Sequence, residues 1–227
     1  MIATFSTTAM HSVDIRSPED PRKIQGPGLV LRHWPAWLQA HGIDTTALCR
    51  ELRDELPWEQ PQVRVYGRLH PVPRLTCWLG DDGCRYRYSG LLHEPLPWSN
   101  ALKTVRNLLD QQLGCRFNSL LLNRYRHGED RMGWHADNEP ELAPSDPIAS
   151  VSLGASRCLR FRPAPGRSGA KACLAVDQPA RNLELADGDL LVMDPPTQRH
   201  WQHSLPQRKR VRRERINLTF RRILLPA

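Results

Sequence analysis

The chain predicts a mainly β fold of the α+β kind, with helices confined to its first half and a sandwich or jelly roll in its second. Three observations carry this. After Gly114 short strand-like runs follow at close intervals, Asn118 to Tyr125, Ile148 to Leu153, Cys158 to Arg162, Leu183 to Leu185, Leu190 to Met193 and Arg215 to Ile223, with no helical period between them. A parallel sheet would need a crossover segment, usually a helix, between its strands. Second, the segment Arg215 to Arg221 alternates strictly: Arg215, Asn217, Thr219 and Arg221 share one face, Ile216, Leu218 and Phe220 the other. Third, Asp187-Gly188 marks a tight turn between two of the strands.

The first half reads as follows. Residues 1 to about 27 mix serine, threonine, proline and both charges without periodicity, the pattern of a mobile leader. Trp34 to Ala40 and Asp44 to Leu56 read as helices, the second with Leu48, Leu52 and Leu56 on one face and Asp44 as its cap. From Val63 to Ser89 the character turns to β, with Pro71, Pro73 and the Gly80-Asp81-Asp82-Gly83 cluster as punctuation. Ser99 then caps a helix whose apolar positions are Leu102, Val105, Leu108, Leu109 and Leu113, with Gly114 as its stop. Pro163, Pro165, Gly166 and Gly169 open an exposed loop that runs to about Arg181.

At 227 residues the chain can bury a substantial core as one domain with extensions. A formal net charge of +8 and a pI near 9.6 favour a polyanionic partner, with nucleic acid first among them. The cations concentrate in Arg208 to Arg215, RKRVRRER, a solvated charged loop or a phosphate contact. Cys49, Cys77, Cys84, Cys115, Cys158 and Cys173 form no C-x-x-C pair and read as reduced thiols of a cytosolic protein; zinc on Cys77 and Cys84 has no familiar spacing. The N-terminus lacks the form of a signal peptide, and no run reaches the length of a membrane span.

The chemistry centres on NRYRHGEDRMGWHADNE, Asn123 to Glu139. On an extended strand His135 and Asp137 leave from the same face, as an ion pair or as two metal ligands. A further histidine would complete a 2-His-1-carboxylate triad, the set that holds Fe(II) and leaves positions open. HWQH, residues 200 to 203, offers His200 and His203. The two arginines of the alternating strand suit a dicarboxylate, because guanidinium forks grip carboxylates bidentately.

Taken in order, Asn123-x-Tyr125, His135-x-Asp137, His203 and Arg215-x-Asn217-x-Thr219-x-Arg221 resemble the AlkB family of Fe(II)/2-oxoglutarate-dependent nucleic-acid dealkylases. The likeness runs from about Val65 to Leu224 and is greatest to the homologues that repair alkylated duplex DNA. It implies a double-stranded β-helix (jelly-roll) core over 114–224, N-terminal helices, and a nucleotide-recognition lid over about 60–95, all in one domain spanning 28–227. It also implies His135, Asp137 and His203 as the iron ligands, His203 being preferred to His200 for its spacing from Arg215. Asn123, Tyr125, Arg215, Asn217 and Arg221 would hold 2-oxoglutarate, with O2 as the third reactant.

The implied reaction is oxidative dealkylation of bases such as 1-methyladenine and 3-methylcytosine in DNA, releasing formaldehyde, succinate and CO2. A lesion in a duplex must first leave the stack. By resemblance Val65, Tyr66, Gly67 and Arg68 form an intercalating finger, with Tyr66 filling the gap, while Tyr86 and Tyr88 serve as lid aromatics, Tyr88 facing His135 across the flipped base. Asn138 stands where relatives carry a second acid, and Glu139 follows; both are expected at the base. The expected partner is duplex DNA, met by a monomer in the cytoplasm or on the nucleoid. Demethylation of RNA by the same chemistry is the first alternative, and a non-catalytic nucleic-acid binder the second.

Overall fold

The computed structural model describes residues 20–65, 67–84, 86–88, 91–165 and 178–225. In chain order the elements are β1 (Arg22–Gly26), β2 (Leu29–Trp34), α1 (Trp37–Ala40), α2 (Thr45–Glu55), β3 (Gln62–Val65), β4 (Arg68–Pro71), β5 (Leu75–Gly80), β6 (Tyr86–Tyr88), β7 (Leu91–His93), α3 (Asn100–Leu113), β8 (Ser119–Tyr125), β9 (Met132–His135), β10 (Ile148–Gly154), β11 (Arg157–Pro163), β12 (Arg181–Leu185), β13 (Leu190–Met193), α4 (Thr197–His200), β14 (Trp201–Leu205) and β15 (Arg215–Arg221). The larger sheet runs β1-β2-β13-β10-β15-β8-β5 and the smaller β12-β11-β14-β9, with every ladder antiparallel.

Period-two patterning explains the layers. On β15, Ile216, Leu218 and Phe220 join Ala149, Val151 and Leu153 of β10 and Leu120 and Leu122 of β8 in a core against Leu48 and Leu52 of α2 and Leu102, Val105 and Leu109 of α3. The opposite faces of these strands look into the sandwich. There Leu29 and Leu31, Ile148, Leu191 and Met193 of the larger sheet meet Leu159, Phe161, Leu185, Trp201 and Leu205 of the smaller. Burying side chains of this size contributes roughly 1.5–3 kcal/mol each. Because Ile216, Leu218 and Phe220 pack on the helix side, the polar face of β15 is turned into the sandwich rather than to water.

The helix ends follow their caps. Asp44 accepts from the amides of Thr46 and Ala47 at α2, and Ser99 from that of Leu102 at α3. Gly114 closes α3 at a φ of 64°, which glycine reaches without strain. The turn at Asp187-Gly188 forms as expected, but it joins β12 of the smaller sheet to β13 of the larger, so it is a crossing between layers and not a hairpin.

Several expected boundaries move. The mobile leader expected over residues 1–27 does not hold for Arg22–Gly26, which pair along β2; residues 1–19 lie outside the described residues. Trp34 ends β2 instead of starting a helix, since β2 alternates Leu29, Leu31 and His33 against Val30, Arg32 and Trp34 between the two cores. The sheet framework also extends beyond 114–224. Within the expected lid, 60–95, Leu75–Gly80 are β5, paired along β8 with Cys77 and Leu79 buried beneath the helices. The remainder of that stretch supplies two separate hairpins, β3-β4 and β6-β7. Gly166, Gly169 and Cys173 of the long loop lie outside the described residues. Among the described residues no helix is long and apolar enough to cross a membrane.

Candidate active site

Strand pairing in the smaller sheet brings two distant histidines together. β14 lies against β9 with His203 directly opposite His135, their ring centroids 4.1 Å apart. Asp137 follows two residues after His135, its amide donating to Gln198 Oε1 at 3.0 Å. Its Oδ1 lies 3.9 Å from His135 Nε2 and its Oδ2 3.9 Å from His203 Nε2. These separations are too long for hydrogen bonds, yet one ion with ligand bonds of roughly 2.1 Å fits between the atoms. The three donors lie within 4.8 Å of one another, the one such grouping among the described residues. His135 Nδ1 meets the carbonyl of Gly133 at 2.9 Å, which as a donor leaves Nε2 its lone pair. His200 is outside the cluster, packed against Gly28, and Cys77 and Cys84 are buried free thiols.

Burial, with the neighbouring His135, pushes His203 down to about 3. For Asp137 burial acts upward, but Arg221, His203 and His135 together outweigh it and hold the carboxyl at about 2. At neutral pH the cluster therefore offers an uncharged imidazole and a carboxylate, the forms a metal needs. The fold favours neutral His203, so that contribution is complete above 6.5 and is lost as pH falls from 6.5 towards about 3; that of Asp137 is present above 3.8 and is lost towards about 2. Metal-free protein is expected to lose stability progressively below pH 6.5, and His203→Asn to flatten the upper part of that curve. Thermal unfolding at successive pH values checks this, and identical slopes would refute it.

Beside the cluster a pocket opens between the sheets, lined by Tyr125, His135, Asp137, Ser150, His203, Arg215, Asn217, Thr219 and Arg221, with Met132, Leu159, Met193 and Leu205 as its apolar wall. The inward face of β15 supplies four of these. Arg215 is 2% exposed and donates to Ser152 Oγ at 2.9 Å and Asn217 Oδ1 at 2.7 Å, while its Nε has no partner. Burial lowers it to about 10. Such a buried cation, short of one acceptor and carrying no carboxylate partner in its hydrogen bonds, fits an anion. Arg221 instead donates to Asp137 Oδ1 at 2.6 Å, so it already serves the metal aspartate. Thr219 accepts from Asn217 Nδ2 at 2.9 Å, a local bond.

Not every expected residue enters the pocket. Asn123 lies opposite Asn217 in the register, but it does not line the pocket, and its Oδ1 accepts from Arg74 Nε at 2.7 Å. Tyr125 does line it and is buried, between the guanidiniums of Arg215 and Arg157 at 5.7 and 5.8 Å from its ring. Of the finger, Val65 pairs with Arg68, Gly67 has a φ of 78°, and β4 stands exposed, with Leu69 56% accessible. Tyr66 lies outside the described residues, and Val65, Tyr86 and Tyr88 are described as strand positions only. Asn138 is exposed and Glu139 half-buried, directly after Asp137.

Sequence reading missed Gln198, Ser150, Ser152 and Arg74, ordinary polar residues whose role comes from strand neighbours. It also missed a stack on the outer face of the smaller sheet, where Arg162 and Arg160 lie 4.5 and 5.9 Å from the ring of Trp134.

Residues 31–221 match the 2OG-Fe(II) oxygenase superfamily. The chain is 43% identical over 216 residues to a mouse (Mus musculus) protein named DNA oxidative demethylase ALKBH2, covering 94% of this chain and 87% of that protein. The human (Homo sapiens) protein of that name is 41% identical over 209 residues, covering 84% and 78%. Human alpha-ketoglutarate-dependent dioxygenase alkB homolog 3 is 36% identical over 179 residues, covering 78% and 60%. The solved structure of OsALKBH1 matches with a TM-score of 0.55 at 20% identity, over 88% of this chain and 100% of that one, a likeness of fold.

Proposed function

The chain belongs to the 2OG-Fe(II) oxygenase superfamily, and on that basis we propose that it is an iron(II)- and 2-oxoglutarate-dependent dioxygenase that oxidatively dealkylates N-alkylated bases of DNA. The observation that carries the reading is the convergence of His135, Asp137 and His203 beside a pocket that contains a buried arginine. His135, Asp137 and His203 would hold the metal. Arg215, with Tyr125 and Asn217 around it, would hold the far carboxylate of 2-oxoglutarate. Bound iron, 2-oxoglutarate and O2 would supply hydroxylation of the carbon of an N-methyl group, whose product would release formaldehyde and the free base, leaving succinate and CO2.

The residues present contribute position and polarity. Gln198 and Arg221 fix Asp137 from its amide and its Oδ1, and cross-strand pairing fixes both imidazoles. Leu159, Met193 and Leu205 keep one wall apolar, which limits water around the reacting groups.

DNA as the substrate is supported by the names of the relatives, by the net charge of +8, and by the exposed hairpin that carries Arg64 and Arg68. The exposed Lys209, Arg210, Arg212 and Arg213 are suited to phosphates. Extrusion of the target base from a duplex follows as the means of access, with Tyr66 as the filler and a single chain as the acting unit. The test is formaldehyde and succinate release from an oligonucleotide bearing 1-methyladenine. Release that needs both Fe(II) and 2-oxoglutarate is expected; binding without turnover would leave only a nucleic-acid binder, and preference for RNA in competition would move the substrate.

Asn138, exposed directly after Asp137, would stand beside the reacting base without a charge, so attraction to a cationic lesion would be weaker than with an acid there. Asn138→Asp is expected to raise the ratio of activity on cationic 1-methyladenine to that on neutral etheno adducts severalfold. Equal ratios in parent and variant would remove Asn138 from substrate choice.

A further inference from the structure

Arg157, on β11, is 1% exposed and among the described residues makes no hydrogen bond to a carboxylate. Its Nη2 donates to the carbonyls of Asp130 at 2.9 Å and Pro206 at 2.8 Å, its Nη1 to that of His127 at 3.4 Å, and its Nε has no partner. Keeping a cation in the interior on backbone carbonyls and the ring of Tyr125, 5.8 Å away, is costly. The segments that own those carbonyls suggest what the arrangement achieves. Residues 126–131 join β8, with Tyr125, to β9, with His135; residues 206–214 join β14, with His203, to β15, with Arg215. The second segment carries Lys209, Arg210, Arg212 and Arg213, all exposed, and Arg208, whose guanidinium pairs with Glu184 at 2.7 Å.

The two segments are also stapled through their backbones. Arg208 N donates to Gly128 O at 2.7 Å, Gly128 N to Val211 O at 2.8 Å, and Val211 N to Arg208 O at 2.8 Å. A Cβ on Gly128 would overlap the Arg208 carbonyl, so only glycine permits this approach. Asp130 accepts from the amide of Arg126 at 2.9 Å and from its guanidinium, which closes the first segment on itself.

We propose that Arg157 is a positioning residue for nucleic acid: by tying both segments together it holds the basic turn 206–213 at a fixed distance from His135 and His203, so that backbone phosphates are gripped in register with the base at the metal. This rests on the nucleic-acid reading above. Phosphate contacts set the register of a bound strand, and cations fixed in advance lose less entropy on binding than cations on a free loop.

The test compares parent, Arg157→Met, Arg157→Lys and Gly128→Ala, each loaded with Fe(II) and 2-oxoglutarate, on a methylated oligonucleotide and on a single methylated nucleotide too short to reach the turn. Arg157→Met is expected to raise KM for the oligonucleotide about tenfold, with a clearly smaller loss on the nucleotide, and to speed amide exchange at Gly128 and Arg208. Arg157→Lys should recover most of this, since an ammonium brings three donors to three carbonyls. Gly128→Ala breaks the backbone staple between the same two segments, so it should give the same split, and the double variant with Arg157→Met should be little worse than either. Equal losses on both substrates, or unchanged exchange at the two amides, would overturn the proposal, and Gly128→Ala decides it alone if Arg157→Met does not fold. A parent with the same KM for nucleotide and oligonucleotide would instead sink the nucleic-acid reading, whatever the exchange shows.

Discussion

His135→Ala is expected to lower formaldehyde release by roughly a thousandfold or more, about 4 kcal/mol of barrier, while the fold persists. The side chain of His135 is 28% exposed, its one hydrogen bond among the described residues is to the carbonyl of Gly133, and its ring contact is with His203, which other partners also hold. Asp137 keeps Arg221, and His203 keeps its place beside Phe161, with ring centroids 6.0 Å apart. What disappears is one ligand of three. An unchanged far-ultraviolet spectrum and melting temperature of the metal-free protein, with loss of iron and of turnover, is the expected set. Iron-dependent turnover near the parent level would show that the metal lies elsewhere.

Arg215→Leu is expected to raise KM for 2-oxoglutarate roughly a hundredfold, about 2.7 kcal/mol, in the range for removing one partner of a buried, hydrogen-bonded charge pair. The same change should not destabilise the protein without its cosubstrate. The sign follows from the depressed Arg215: its folded value of about 10 lies below the ordinary 12.5, so at neutral pH the fold bears the cost of keeping the guanidinium charged. Replacing such a buried charge by an apolar side chain is often neutral or stabilising. Excess 2-oxoglutarate at 100 times its Kd should stabilise the parent by about 2.7 kcal/mol and Arg215→Leu hardly at all. Thermal unfolding with and without the cosubstrate reads both effects; equal stabilisation of parent and variant would remove Arg215 from cosubstrate binding.

The local pattern of this chain was legible where it repeats. The alternation of β15, the caps Asp44 and Ser99 and the stop at Gly114 are each specified within a few residues, and each stands where expected. The pairings that make the site are not local. Nothing near His203 announces that it faces His135, because that follows from the order of four strands in the smaller sheet; the choice over His200 came from resemblance in spacing. β1 and β2 were missed because their apolar positions serve two cores and show no clean period, and β14 because five residues are too few to establish one; the extended strand read at His135-x-Asp137 is β9, but it ends at His135. Direction was the remaining gap. A polar strand face normally turns to water, and only the fold shows that of β15 turned inward, with Arg221 on Asp137 and Arg215 at the pocket.

The most direct measurement is a crystal structure grown without oxygen with Mn(II) in place of iron, 2-oxoglutarate and an oligonucleotide bearing 1-methyladenine. The predicted result is one anomalous peak bounded by His135 Nε2, an Asp137 carboxylate oxygen and His203 Nε2, with a carboxylate of 2-oxoglutarate on the guanidinium of Arg215. An ion bound away from these three side chains, or a dicarboxylate that leaves Arg215 untouched, would contradict the account.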